Sequence, residues 1–127
     1  MQVILDTNFL IYCAKNKLDY IEELSNLINE GFELVVPIQV VNELNKLKED
    51  KWKKVSGKDK LSTDLALKLL KHNKIKIVKP IGKTVDDAII ALADSGPNNI
   101  VCTLDKVMRK TLKRVILVNR FKKLIMT

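Results

Sequence analysis

Histidine is almost missing from this 127-residue chain, with His72 standing alone. One imidazole cannot build a zinc site of the usual kind or a Ser-His-Asp triad. Cysteine is nearly as scarce. Cys13 and Cys102 share no CxxC spacing and sit in apolar surroundings, so they read as reduced, buried thiols in a cytoplasmic protein. Aromatic residues make up only 5% of the chain, which leaves the core to Ile, Leu and Val. No apolar run approaches the roughly 20 residues needed to span a bilayer, and the N-terminus lacks the basic start of a secretory leader.

What is present fits one globular domain over residues 1–127, with 46% hydrophobic residues. The formal net charge of +8 suits a partner that is a polyanion, and nucleic acid is the commonest one. Lysine-rich surfaces also serve solubility alone. Charge therefore opens the nucleic-acid reading without deciding it.

Apolar strand-like runs alternate with helical patterns. Gln2–Leu5 reads as a strand, followed by helices over Phe9–Lys15 and Tyr20–Glu30, the second stopped by Gly31. Glu33–Val36 is a strand, and Pro37 opens a helix to about Lys48. The stretch KEDKWKKVSGKDK has no apolar period and reads as a basic loop or frayed helix end. A helix resumes near Ser62 with Leu61, Leu65 and Leu69 on one stripe. Ile75–Val78 is a strand, Thr84–Ser95 a helix, Ile100–Thr103 a strand, Lys106–Lys113 a short basic helix and Val115–Val118 a strand. The tail FKKLIM suits a last turn or an edge strand. The alternation predicts an α/β three-layer sandwich around a parallel sheet, with right-handed crossovers.

In such a fold ligands bind beyond the carboxyl ends of the strands, and that is where acidic residues collect. Asp6 directly follows the first strand, inside an otherwise greasy segment, QVILDTNFLIY. A lone buried carboxylate costs several kcal/mol unless something pairs with it. Asp105 follows the fourth strand. Glu43 lies about 9 Å along the helix from Pro37, flanking the Val40–Leu44–Leu47 stripe. Asp86 and Asp87 occupy the first turn of a helix whose orientation the spacing leaves open. Each has a plainer explanation: Asp105 as an N-cap, Asp86 or Asp87 facing a helix dipole, Thr84 with Asp87 as a capping box, Glu43 as a surface residue.

Taken together the acids point to a hard divalent cation. Clustered carboxylates repel and raise one another's pKa, and Mg²⁺ or Mn²⁺ reverses that penalty through oxygen ligands. With no nucleophilic Cys or Ser in evidence, hydrolysis by metal-activated water is the natural chemistry. An acidic metal pocket in a basic surface suits a phosphodiester backbone.

The segments ILDTNFLIY, VPIQVVNELNKL, VDDAIIALA and IVCTLDKVMRKTL occur in the order and context of PIN-domain nucleases, and the chain resembles that family from Val3 to about Val118. It is similar both to the ribosomal-RNA-processing branch and to the VapC-type toxins of toxin–antitoxin modules. The resemblance implies a five-stranded parallel sheet of order 3-2-1-4-5 and a Mg²⁺ or Mn²⁺ site. It matches Asp6, Glu43, Asp87 and Asp105 to the catalytic and metal-binding acids, with Asp86 auxiliary. Thr7, Asn8 and Thr103 fall where polar groups steady carboxylates or metal-bound waters, with Asn8 expected to orient Asp6. The implied reaction is endonucleolytic RNA cleavage leaving a 3′-hydroxyl and a 5′-phosphate. The implied partners are RNA (an rRNA precursor, tRNA or mRNA), an antitoxin or ribosome-assembly factor, and a second copy in a homodimer, with no membrane.

Three rivals follow from the same residues. A haloacid-dehalogenase-like phosphatase would need an aspartate where Asn8 stands, and a receiver domain would need a phospho-accepting aspartate after a middle strand. A catalytically silent PIN-like RNA-binding scaffold would typically have lost one of the acids, and all are present. For RNA contacts the expectation falls on Lys106, Arg109, Lys110 and Lys113 beside Asp105, and on Lys53 and Lys54 flanking Trp52, whose indole either stacks on a base or covers the core edge.

Overall fold

A computed structural model describes residues 1–49 and 57–127, the side chains of 57–59 excepted. The expectations for Trp52, Lys53 and Lys54 lie outside the described residues.

At the centre is β1 (Gln2–Leu5), whose Val3, Ile4 and Leu5 are fully buried. It pairs in parallel with β2 (Glu33–Pro37) on one side and β4 (Ile100–Cys102) on the other. Beyond β2 lies β3 (Lys76–Val78) and beyond β4 lies β5 (Val115–Val118), both parallel. The tail contributes β6 (Leu124–Met126), antiparallel to β5. The sheet order is β3-β2-β1-β4-β5-β6, so the expected 3-2-1-4-5 parallel core carries one added antiparallel edge.

Helices α1 (Thr7–Lys15), α2 (Tyr20–Leu27), α3 (Ile38–Glu49), α4 (Gly57–His72), α5 (Val85–Asp94) and α6 (Lys106–Arg109) form the connections. The core is aliphatic as the composition requires. Phe9 and Tyr20 are its aromatic exceptions, meeting edge to face at 6.1 Å between ring centroids.

Several boundaries moved for local reasons. Pro37 ends β2, in register with Val78, and the helix begins one residue later at Ile38. α2 ends at Leu27, because Ile28 turns to an extended conformation before Gly31 is reached. α6 is one turn long and gives way to turns after Arg109. The stripe of α4 is reversed. Ser62, Thr63, Ala66 and Leu70 are buried, whereas Leu61 and Leu65 are 73% and 41% exposed. Small residues let α4 approach α1 and α3 closely, and that contact, not leucine hydrophobicity, sets which face turns inward.

Candidate active site

The register of the central strands builds the site floor. Leu5 lies opposite Cys102, so the residues just beyond the two strand ends, Asp6 and Thr103, come side by side. Asp6 is 4% exposed and Thr103 is fully buried. The Thr103 hydroxyl donates to Asp6 Oδ2 at 2.6 Å, and the Thr7 backbone N–H donates to Oδ1 at 2.7 Å. Asp6 thereby caps α1. Thr103 Oγ1 accepts in turn from the Asp105 N–H at 3.0 Å. One hydroxyl thus ties the first carboxylate to the backbone of another.

These bonds do not make Asp6 comfortable. Its pKa is raised to about 6, chiefly because burial disfavours the ionised form. The bonds from Thr103 and Thr7 pull it down, while the nearby negative charges of Asp86 and Glu43 push it up. Among the described residues, the ion pairs join Lys48 and Lys68 to Asp64 and Lys76 to Glu33, and none reaches the site acids.

The cleft above Asp6 has a volume of about 280 Å³ and gathers Asp6, Glu43, Asp86 and Asp105 with Thr7 and Asn8, against Ile11, Leu47 and Val85. Four acids from distant parts of the chain therefore share one opening at the carboxyl ends of β1, β2 and β4. Asp86, not Asp87, lines it. Asp87 is exposed one position on, and its backbone N–H is held by the Thr84 hydroxyl at 3.1 Å, the capping geometry its spacing suggests. Asp105 also has its plainer role, since Oδ1 accepts from the N–H groups of Val107 and Met108 and so caps α6.

Asn8 differs from expectation. Its Oδ1 accepts from the Leu104 N–H at 3.1 Å and lies 3.5 Å from the Thr103 hydroxyl, so among the described residues it secures the loop after β4 and reaches Asp6 through Thr103 and not directly. Lys106 and Arg109 of α6, and Lys110 and Lys113 beyond it, are exposed and line no part of the cleft.

The turn carrying Asp86 is fixed from behind, which sequence reasoning missed. Gln39 Nε2 donates to the carbonyls of Pro80 and Gly82, at 3.0 and 2.9 Å. Gly82, at φ 149°, packs so tightly on α5 that a Cβ there would stand 2.6 Å from the Ala88 nitrogen. The one available signal was a glycine two residues before the capping Thr84.

The donor set suits a hard divalent cation: carboxylate, amide and hydroxyl oxygens with no sulfur or imidazole. Thr7 Oγ1 is buried here and has no hydrogen-bond partner among the described residues, an orphan that a metal-bound water would satisfy. Among the described residues, however, no three acidic, imidazole or thiol groups stand close enough together to enclose an ion. The thiols take no part: both cysteines are free and buried, with Cys13 pushed up to about 12 and Cys102 well above its ordinary value by desolvation.

A parallel sheet of this order with acids at its carboxyl edge defines a class, and comparison with known proteins agrees. Residues 3–120 match the family model described as a PIN-like domain. The chain is 35% identical to Ribonuclease VapC4 of Methanocaldococcus jannaschii over 111 residues, 87% of this chain and 82% of that protein. Its fold is similar to the PIN domain endonuclease Utp24, with a TM-score of 0.76, 22% identity, and coverage of 98% of this chain and 90% of that one. It is also similar to VapBC2 from Rickettsia felis bound to a DNA fragment from its promoter, with a TM-score of 0.59, 16% identity, and coverage of 92% and 98%. The chain belongs to the PIN-domain nuclease superfamily and is related to a VapC-type member of it. No helix among the described residues is long and apolar enough to cross a membrane.

Proposed function

We propose that residues 1–127 act as one PIN-like domain that hydrolyses RNA phosphodiester bonds endonucleolytically with Mg²⁺ or Mn²⁺, using Asp6, Glu43, Asp86 and Asp105. The observation that carries this reading is the convergence on one cleft of four carboxylates that have no ion-pair partner among the described residues, with Asp6 buried at its floor. The kinship to a protein named Ribonuclease VapC4 supports RNA as the substrate.

A bound divalent cation would lower the pKa of a water and neutralise charge on the scissile phosphate. The chain's own residues do the rest. Thr103 and the Thr7 N–H fix both oxygens of Asp6, so the carboxylate meets its ligand without searching rotamers. The α6 cap fixes Asp105 through Oδ1. Glu43 and Asp86 enter from opposite helices to complete the charge. Ile11, Leu47 and Val85 give the cleft its apolar walls and limit bulk water around the reacting groups. Attack by water requires no ribose 2′-hydroxyl; with the 3′-oxygen as leaving group, as the family resemblance implies, the products carry a 3′-hydroxyl and a 5′-phosphate.

The test is cleavage of a 5′-labelled single-stranded RNA with Mn²⁺, Mg²⁺ or EDTA. Wild type cuts with either metal and not in EDTA, and Asp6→Asn lowers the rate at least about 100-fold. Wild type that binds RNA yet fails to cut it with either Mn²⁺ or Mg²⁺ would support the silent scaffold instead. The toxin and rRNA-processing roles share this chemistry. An antitoxin, a ribosome-assembly factor and a homodimer all remain partners proposed from family resemblance.

A further inference from the structure

The acidic cleft does not end at Glu43. A second depression of about 440 Å³ is lined by Gln39, Asn42, Glu43, Lys46, Leu47, Lys83, Thr84 and Val85, and it shares Glu43, Leu47 and Val85 with the cleft. The two therefore adjoin along these three residues. Gln39, Glu43 and Lys46 are spaced three or four residues apart, so they climb one face of α3, and Lys46 lies about 4.5 Å along the axis from Glu43. Lys83 faces them from the loop before α5. Both lysines are exposed, and among the described residues neither has an ion-pair or hydrogen-bond partner.

We infer that this groove is the lane in which a single-stranded RNA runs to or from the cleft, with Lys46 and Lys83 gripping the phosphates next to the scissile one and Asn42 presenting its amide to a base edge. The inference rests on the proposed ribonuclease reading and names the substrate contacts that reading leaves open. Charge decides the direction. The carboxylate cleft repels a polyanion everywhere except at a bound cation, so the flanking phosphates must leave over positive charge. Lys46 and Lys83 are the two basic residues that line the continuation. Depth decides the strand state. Asp6 is 4% exposed, and a flexible single strand can lower a phosphate to such a floor where a stiff duplex cannot. Leu47 and Val85, common to both parts, offer apolar contact to sugars or base faces.

The experiment measures binding of a labelled single-stranded RNA octamer of mixed sequence in EDTA, where no turnover occurs, across about 50–200 mM KCl. Three proteins are compared: wild type, Lys46→Gln/Lys83→Gln, and Lys106→Gln/Lys110→Gln. Each phosphate contact to a single strand contributes about 0.7 to the slope of log affinity against log salt. Losing two contacts therefore flattens the slope by about 1.4, so wild type loses about sevenfold more affinity than the groove variant over that range. An unchanged slope in the groove variant overturns the lane, as does a flattening confined to the α6 variant. All the lysines replaced are exposed, and thermal midpoints equal to wild type establish folding. Parallel cleavage in Mn²⁺ separates the two claims. A wild type that cuts RNA while the groove variant keeps its slope refutes the lane alone, and a wild type that neither binds nor cuts refutes both.

Discussion

Asp6 is held where an ionised carboxylate is disfavoured, between a threonine hydroxyl and a backbone N–H, with Asp86 and Glu43 adding repulsion. The sign of the consequence follows from linkage. A folded-state pKa of about 6 against an ordinary 3.8 means the folded chain holds this proton more tightly than the unfolded chain. Stability attributable to Asp6 is therefore greatest below about pH 4 and is lost as pH rises through about 6. Two pK units correspond to roughly 3 kcal/mol. In metal-free protein at pH 7, Asp6→Asn is expected to raise the unfolding free energy by about 2 kcal/mol, since the amide loses part of the hydrogen bonding. That advantage should shrink toward zero near pH 4. Urea denaturation in EDTA at both pH values checks this, and an Asn variant no more stable than wild type at pH 7 would contradict it. The greasy context of Asp6 made it legible in the sequence, because a charge inside an apolar run needs a reason. Asn8 was not, since which backbone N–H its amide meets depends on a loop ninety-six residues away.

At the scale of elements, the first turn of α5 distinguishes two adjacent aspartates. Both are exposed, but Asp86 lines the cleft and acts on Asp6, whereas Asp87 lies beside the Thr84 cap. Asp86→Asn is expected to lower RNA cleavage about 100-fold, and Asp87→Asn to change it no more than about twofold, as surface substitutions do. Steady-state cleavage rates of the two single variants decide the matter, and the reverse order would return the metal-binding role to Asp87. The pair was legible as a pair. Its orientation was not, because a one-residue rotation of about 100° on a helix is set by Gly82 and the Gln39 clamp. The strands and their order were legible from alternation and resemblance. The helix of α4 was legible but its buried face was not, because Ser62, Thr63 and Ala66 share that face with Leu70 and leave little hydrophobic signature.

Across the whole molecule, a basic protein with charge +8 gathers Asp6, Glu43, Asp86 and Asp105 at one edge of its sheet. That segregation is costly in isolation and sensible only if a cation and a polyanion meet there. Lys46 and Lys83 extend the positive surface up to the margin of the acidic cleft. The exposed Lys106 and Lys110 lie outside the cleft. The most direct measurement is a crystal soaked in Mn²⁺ and recorded at the manganese absorption edge. The account predicts an anomalous peak in the cleft within ligand distance of Asp6, with Asp86 or Asp105 carboxylate oxygens drawn in around it. Manganese bound only elsewhere, with the cleft side chains left apart, would contradict it.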